Sequence, residues 1–209
     1  MKFLWVLCGF LGVLGFNMHA LAANEVAPRR FELGAHAGYA ITEQVLEVTR
    51  AIPLGLDFGY RLTRRWVLGA SVEYGVVHET TQAEDADASL SGRHVRATAS
   101  VRYHFDPERL VDPWLGLGVG YDWVSYDGRG TAYGYAFGQY RAYHASARGP
   151  ELLDAQLGVD FNVLPAFAVG PVFGASIVDY TAGAYDEALA ERHEVKTWWT
   201  VGAKCTLRF

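Results

Sequence analysis

Cysteine is nearly absent from this chain. Its 209 residues include two, Cys8 and Cys205. Cys8 lies in an apolar N-terminal segment, so once that segment is removed Cys205 stands alone and no intrachain disulfide can form. Long apolar runs are missing as well. Beyond the N-terminal segment no stretch offers 18 consecutive apolar residues, which excludes a bundle of membrane-spanning helices. A cationic excess is also missing: 18 Lys and Arg stand against 23 Asp and Glu, a formal net charge of -5. The basic face that nucleic acid requires is therefore not there. Histidines and cysteines never fall at the tight spacings of a metal site, and no cofactor is implied. What the chain does have is glycine, 23 residues, and aromatic side chains, 14% of the total.

The N-terminus reads as an export signal. Lys2 precedes an uncharged apolar run from Phe3 to Phe16, and the small residues Ala20-Leu21-Ala22-Ala23 follow. This is the order of a secretory signal peptide, and the run is short for a spanning helix. Residues 1–23 are taken as the signal peptide, cut after Ala22 or Ala23, and 24–209 as one domain. Trp5-Val6-Leu7 before Cys8 lacks the small residue of a lipidation site. Without Lys2, 17 basic residues face 23 acidic ones.

Strand-length alternation fills the rest. Phe31, Leu33, Ala35, Ala37 and Tyr39 share one face of a first strand, because successive side chains on a strand point to opposite sides. The same spacing recurs in Leu54–Leu62, Trp66–Val76, Val95–Phe105, Leu115–Trp123, Leu153–Val163, Phe167–Ile177 and Trp199–Phe209. None of these alternating positions is charged, in a chain that is 20% charged. The positions between them carry six acids, Glu32, Asp57, Glu73, Asp122, Asp154 and Asp160. They also carry six bases, Arg61, Arg96, Arg102, Lys196, Lys204 and Arg208, and many glycines. Trp114 falls on this same charged side. Pro171, which lacks a ladder donor, calls for a local bulge.

A soluble barrel would bury the apolar face and wet the charges. Here aromatics on the apolar face gather near strand ends, at Phe31, Tyr39, Tyr60, Trp66, Tyr74, Tyr103, Trp123, Trp199 and Phe209, as in the interfacial girdles of membrane barrels. The pattern predicts an all-β fold, an eight-stranded antiparallel transmembrane β-barrel, with its charges turned inward. Connections alternate in length. Short ones lie at Thr63-Arg64-Arg65, at 106–112 and around Leu164-Pro165. Long ones lie near 41–52, 78–94, 125–150 and 180–195. Short turns on one rim and long loops on the other is the outer-membrane arrangement. It implies an outer-membrane location with N- and C-termini periplasmic.

The final strand, Trp198 to Phe209, alternates apolar residues and ends in Phe. Together with Pro113-Trp114-Leu115-Gly116-Leu117-Gly118-Val119-Gly120-Tyr121, it resembles the small outer-membrane barrels of the OmpA/OmpX/OmpW-like superfamily. The resemblance implies that Phe209, Leu207 and Gly202 belong to an assembly signal read by the outer-membrane assembly machinery. It also implies surroundings of outer-membrane lipids and lipopolysaccharide.

Three groups of residues are candidates for function. The first is a luminal charge network of Glu73, Arg96, Arg102, Asp122, Asp160 and Lys204, with Glu73–Arg96 and Asp160 with Arg102 or Lys204 as expected pairs. Isolated charges in so narrow a space are costly, so they should pair across it. The second is the 125–150 connection, with Tyr126, Tyr133, Tyr135, Tyr140, Tyr143, Arg141 and Arg148. Tyrosine gives recognition surfaces area at low entropy cost, and arginine suits lipopolysaccharide phosphates. Its surface ligand is unknown. The third is His144-Ala145-Ser146, which resembles the His-x-Ser pair of PagL-type lipid A deacylases, with Glu151 or Asp154 to orient the histidine. The pattern is short and the stretch reads as a loop, so the chain is read as a non-enzyme, with a narrow OmpW-like conduit as the alternative. His78, His94, His144 and His193 fall toward the long loops, with His78 and His94 placed to face each other, and no metal site follows. The acidic run of Glu79, Glu84, Asp85 and Asp87 reads as a solvated loop.

Overall fold

The computed structural model describes residues 29–43, 48–79, 89–131, 140–183 and 192–209. Residues 1–23, expected to be a signal peptide, lie outside them. Eight strands follow one another: β1 (Phe31–Glu43), β2 (Val48–Arg61), β3 (Trp66–Glu79), β4 (Ser89–His104), β5 (Val111–Thr131), β6 (Tyr140–Leu164), β7 (Phe167–Gly183) and β8 (Arg192–Arg208). Each pairs antiparallel with the next, and β1 pairs with β8 to close the barrel. Closure leaves no strand edge, which a lipid environment demands of any sheet.

The alternation is realised as an inside-out protein. Leu33, Leu54, Leu56, Phe58, Val72, Leu115, Leu117, Leu157, Val163 and Val201 are exposed on the outer wall. Glu32, Arg61, Glu73, Arg96, Arg102, Asp122, Asp154, Asp160, Lys204 and Arg208 are buried inside. No helix among the described residues is long and apolar enough to cross a membrane. The strands do the crossing instead, since about 9–11 tilted residues suffice for each.

Three short connections, 62–65, 105–110 and 165–166, mark one rim, called here the turn end. The first and last strands also meet there, where Phe31 and Phe209 exchange backbone hydrogen bonds of 2.9 Å. Phe31 packs on Tyr60 and Phe209 with ring centroids 5.4 and 6.1 Å apart, and Trp66 on Tyr103 at 4.9 Å, forming one aromatic girdle. Tyr121–Trp123 and Phe173–Trp199 form contacts of the other girdle, toward the loop end.

β5 and β6 are the longest strands; β5 stays paired with β4 as far as Ser89↔Arg129, while β6 continues beyond its last pair with β7, Ser146↔Gly183. The pairing of β5 with β6 continues to Thr131↔Tyr140, so most of the stretch expected to be a loop between 125 and 150 is a hairpin. His144-Ala145-Ser146 accordingly sits on β6 and not in a loop. His94 lies opposite Gly75, while His78 pairs with Ser91, so the two histidines do not face each other.

One irregularity changes the inside–outside rule. β6 carries one extra residue at Leu152 against both neighbours: its register shifts between Gly118 and Gly120 of β5, and between Glu151 and Leu153 against β7. Leu152 and Leu153 are both exposed, while Glu151 and Asp154 on either side are both buried. A bulge of this kind re-aims side chains by adding one residue to one strand. At Pro171, by contrast, no bulge forms: the register runs unchanged from Gly158↔Val172 to Phe161↔Val169. Pro171 is exposed on the outer wall and pairs with Ala203 of β8.

Candidate functional site

The lumen is filled in three layers. Nearest the turn end, Glu32 of β1 serves three guanidinium groups. Arg61 reaches its Oε1 at 2.5 Å through Nη2 and at 2.6 Å through Nε. Arg102 reaches Oε2 at 2.9 Å and Arg208 lies 3.3 Å from Oε1. Asp160 takes Arg208 at 2.8 Å and the indole Nε1 of Trp114 at 3.0 Å. The expected pairing of Asp160 with Arg102 or Lys204 is thus replaced: Arg102 turns to Glu32, and Lys204 to Asp57 at 3.2 Å. The reason is Trp114. Its ring stands between these groups, with the Arg102 guanidinium 5.9 Å and the Lys204 ammonium 5.6 Å from the ring centroid. Gly158 makes room for it: a Cβ there would come within 2.5 Å of the indole.

The middle layer is built around His36 and Arg96. His36 Nδ1 lies 2.9 Å from Asp57 and Nε2 3.1 Å from Glu73, so both ring nitrogens meet carboxylates. Arg96 donates to Glu73 at 2.9 Å, to Ser176 at 3.1 Å and to Glu151 at 3.3 Å. Thr98 donates to the other oxygen of Glu151 at 2.8 Å, and Gln156 donates to Asp154 at 2.7 Å. The space left among His36, Asp57, Glu73, Arg96, Asp154 and Lys204 is about 30 Å³, enough for a water or two.

The third layer is apolar. Ala40, Ala51, Val77, Val124, Val178, Tyr180 and Trp198 pack together across the lumen toward the loop end. Trp198 donates to the Tyr180 hydroxyl at 2.9 Å and stacks on His94, whose Nε2 meets Asp122 at 2.7 Å. Lys196, expected inside, pairs at 2.9 Å with the half-exposed Glu194.

Several luminal residues escaped the sequence reading. His36, His104 and Asp112 continue the inward alternation of β1, β4 and β5 and were legible from it. Glu151 was not, because the Leu152 bulge hides its facing. His104 Nδ1 meets Asp112 at 2.7 Å, and ligand-type atoms of His104, Asp112 and Asp160 all lie within 4.8 Å of one another. Both carboxylates of this cluster already accept two protein hydrogen bonds each. Asp112 takes His104 and the Asp106 amide, and Asp160 takes Trp114 and Arg208.

The recognition residues fall on or near the β5–β6 hairpin. Tyr133 and Tyr135 lie outside the described residues. Tyr126, Tyr140, Arg141 and Tyr143 have strand positions, but their side chains lie outside the described ones. Arg148 is exposed on the outer wall of β6, as is Ser146. The carboxylates expected to orient His144 are held elsewhere: Glu151 and Asp154 are buried in the lumen, bonded to Arg96, Thr98 and Gln156. On β8, Leu207 and Phe209 are exposed on the outer wall. Gly202 lies opposite Gly38 of β1.

A closed eight-stranded barrel with an apolar outer wall and a charged interior is the architecture of outer-membrane proteins. A family model, that of the outer membrane protein beta-barrel domain, matches residues 8–186. The chain belongs to this family. Among solved structures, Neisserial surface protein A is similar at 17% identity and a TM-score of 0.56, covering 86% of this chain and 97% of that one. A major outer membrane protein from Thermus thermophilus is similar at 13% identity and 0.52, covering 88% and 100%. The outer membrane protein OprG from Pseudomonas aeruginosa is similar at 12% identity and 0.50, covering 89% and 99%. None of the curated proteins compared with the chain matches it. As a member of an outer-membrane barrel family, the protein resides in the outer membrane, among its lipids and lipopolysaccharide.

Proposed function

We propose that the protein is a non-enzymatic, closed outer-membrane barrel that serves envelope structure or surface interaction through its loop end. The observation that carries this reading is the filled lumen. A paired charge network occupies its lower and middle parts, and the Trp198–Tyr180–His94 layer lies across its upper part. An eight-stranded barrel has room for little beyond its own side chains. The long β5–β6 hairpin then carries Tyr126, Tyr140, Arg141, Tyr143 and Arg148 at the loop end, where phosphate groups of lipopolysaccharide or a protein partner would meet them. In this reading the turn end and both termini face the periplasm. The C-terminal strand, with Leu207 and Phe209 on the lipid face, is what the assembly machinery binds. The narrow conduit finds less support, because solutes would have to displace both the ion pairs and the apolar layer. Acyl hydrolysis at Ser146 finds less support, because Glu151 and Asp154, the carboxylates expected to orient His144, are buried in the lumen while Ser146 is exposed on the outer wall.

The test is planar-bilayer conductance of the purified protein, run beside protease accessibility of the 132–139 connection on intact cells. Electrical silence with cleavage at that connection supports the proposal. A steady, reproducible wild-type channel would replace it with the conduit.

A further inference from the structure

A cavity of about 350 Å³ opens at the turn end, lined by Arg29, Arg61, Arg64, Pro107, Glu108, Pro165 and Arg208. We propose that it is a binding site for a phosphate-class oxyanion, either free or carried at the head of an anionic lipid.

Charge is the first reason. Four arginines and one glutamate surround the space. Arg61 and Arg208 are each more than nine-tenths buried, so their charges are poorly screened by solvent. Their main counter-charge, Glu32, is shared with Arg102 as well, three cations on one carboxylate. Asp160 compensates Arg208 but is also held by Trp114. At the rim, Arg64 pairs with Glu108, while Arg29 has no ion pair among the described residues. The floor and rim together therefore hold more cations than acids.

Geometry is the second. The arginines arrive from three parts of the chain: Arg29 from the lead-in to β1, Arg61 and Arg64 from the end of β2 and the turn after it, and Arg208 from the end of β8. A planar carboxylate satisfies one guanidinium fork. A tetrahedral oxyanion offers acceptors to several forks at once, which is what arginines converging from different sides can use. The volume lies near the lower end of small-molecule sites, roughly 300–1,000 Å³, so a phosphate with a glycerol-sized substituent fits. Pro107 and Pro165 give that substituent rigid walls.

The neighbouring arginines supply the contrast. Arg30 and Arg65 stand on the outside of the same rim, donating to the hydroxyls of the girdle tyrosines Tyr60 and Tyr103 at 3.4 and 3.2 Å. Those two belong to the general cationic rim of the barrel. The cavity arginines do not.

The experiment uses the full folded protein in a phosphate-free maltoside detergent. Inorganic phosphate and glycerol 3-phosphate are titrated by calorimetry at low salt. In parallel, the protein is extracted from mixed phosphatidylethanolamine and phosphatidylglycerol vesicles, and retained lipid is read by native mass spectrometry. Arg29→Gln with Arg64→Gln, both outside the Glu32 cluster, should weaken binding about a hundredfold, the scale of two lost charge-assisted contacts. Arg30→Gln with Arg65→Gln should leave it unchanged. Glu108→Gln should tighten it by freeing Arg64, and this variant keeps the proposal testable if the double variant folds poorly. Binding of the soluble phosphates supports a free ligand. Retention of phosphatidylglycerol alone, lost with Arg29 and Arg64, supports a lipid head group. Absence of both, or equal losses for the inner and outer pairs, overturns the site.

Discussion

The indole of Trp198 lies flat on the imidazole of His94, with ring centroids 4.7 Å apart and planes inclined by 8°. This stack joins the apolar layer to the polar lumen, because His94 passes the contact on to Asp122. Trp198→Ala should therefore do two things. It should remove about 3–5 kcal/mol of stability in urea unfolding from bilayers, the usual cost of deleting a buried tryptophan. It should also admit ions, seen as a small conductance that the wild type lacks. An unchanged, silent variant would mean that the layer is not a barrier.

Glu32 holds Arg61, Arg102 and Arg208 together, so Glu32→Gln should cost about 3–5 kcal/mol by stranding buried cations. Pairing it with Arg102→Met should recover part of the loss, since one fewer cation is left without a counter-charge. A double-mutant cycle in urea reads this directly. Additive losses would show that the three arginines find other partners.

Cys205 lies between Ala203 and Leu207 on the outer wall, with its thiol 3.5 Å from the carbonyl oxygen of Ala35. In intact membranes it should resist charged, water-soluble thiol reagents and react after denaturation. Fast labelling of the folded protein would place β8 in a different register.

Ser146 is exposed on the outer wall, whereas Glu151 and Asp154 are sealed inside. We expect Ser146→Ala and His144→Ala to leave the lipid A of an expressing strain unchanged in mass spectrometry. Loss of an acyl chain with the wild type, abolished by either change, would make the protein an enzyme.

Deleting Leu152 should prevent folding, while Leu152→Ala should be tolerated. The deletion forces one half of β6 into the wrong parity and carries Glu151 toward lipid, where a charge is costly. The heat-dependent gel shift of the folded barrel distinguishes the two variants.

Strand number, closure and the facing of most side chains were legible because alternation is a local property: a residue's parity follows from its neighbours two positions away. Four features were not. The Leu152 bulge leaves no trace in the pattern, since Leu152-Leu153 reads as one apolar position beside another. The pairing of Asp160 with Arg208 depends on where Trp114 stands, a contact between strands that no single strand records. The apolar layer was hidden by the rule that served everywhere else. Val77, Val124, Val178 and Trp198 sit on inward positions, and the alternation reveals their facing but not that they lie at one height. The turn-end cavity escaped for the same reason, because its arginines come from segments far apart in sequence.

The closing seam has a consequence for the timing of biogenesis. Every neighbouring pair of strands except β1 and β8 is adjacent in sequence and can pair locally. The seam joins Glu32 to Arg208 and Phe31 to Phe209, contacts between the first and last strands of the barrel. Long-range closure of this kind is slow, because the entropy of the intervening chain must be lost first. At the same step Glu32 gains its last cation, and Gly38 and Gly202 come together, the latter so close to β1 that a Cβ would lie 2.4 Å from the carbonyl oxygen of Ala37. A chain cut short by a single strand would keep its hairpins yet expose β1 to hydrocarbon. Closure of the wall therefore depends on β8, the strand that lies farthest from β1 in the sequence.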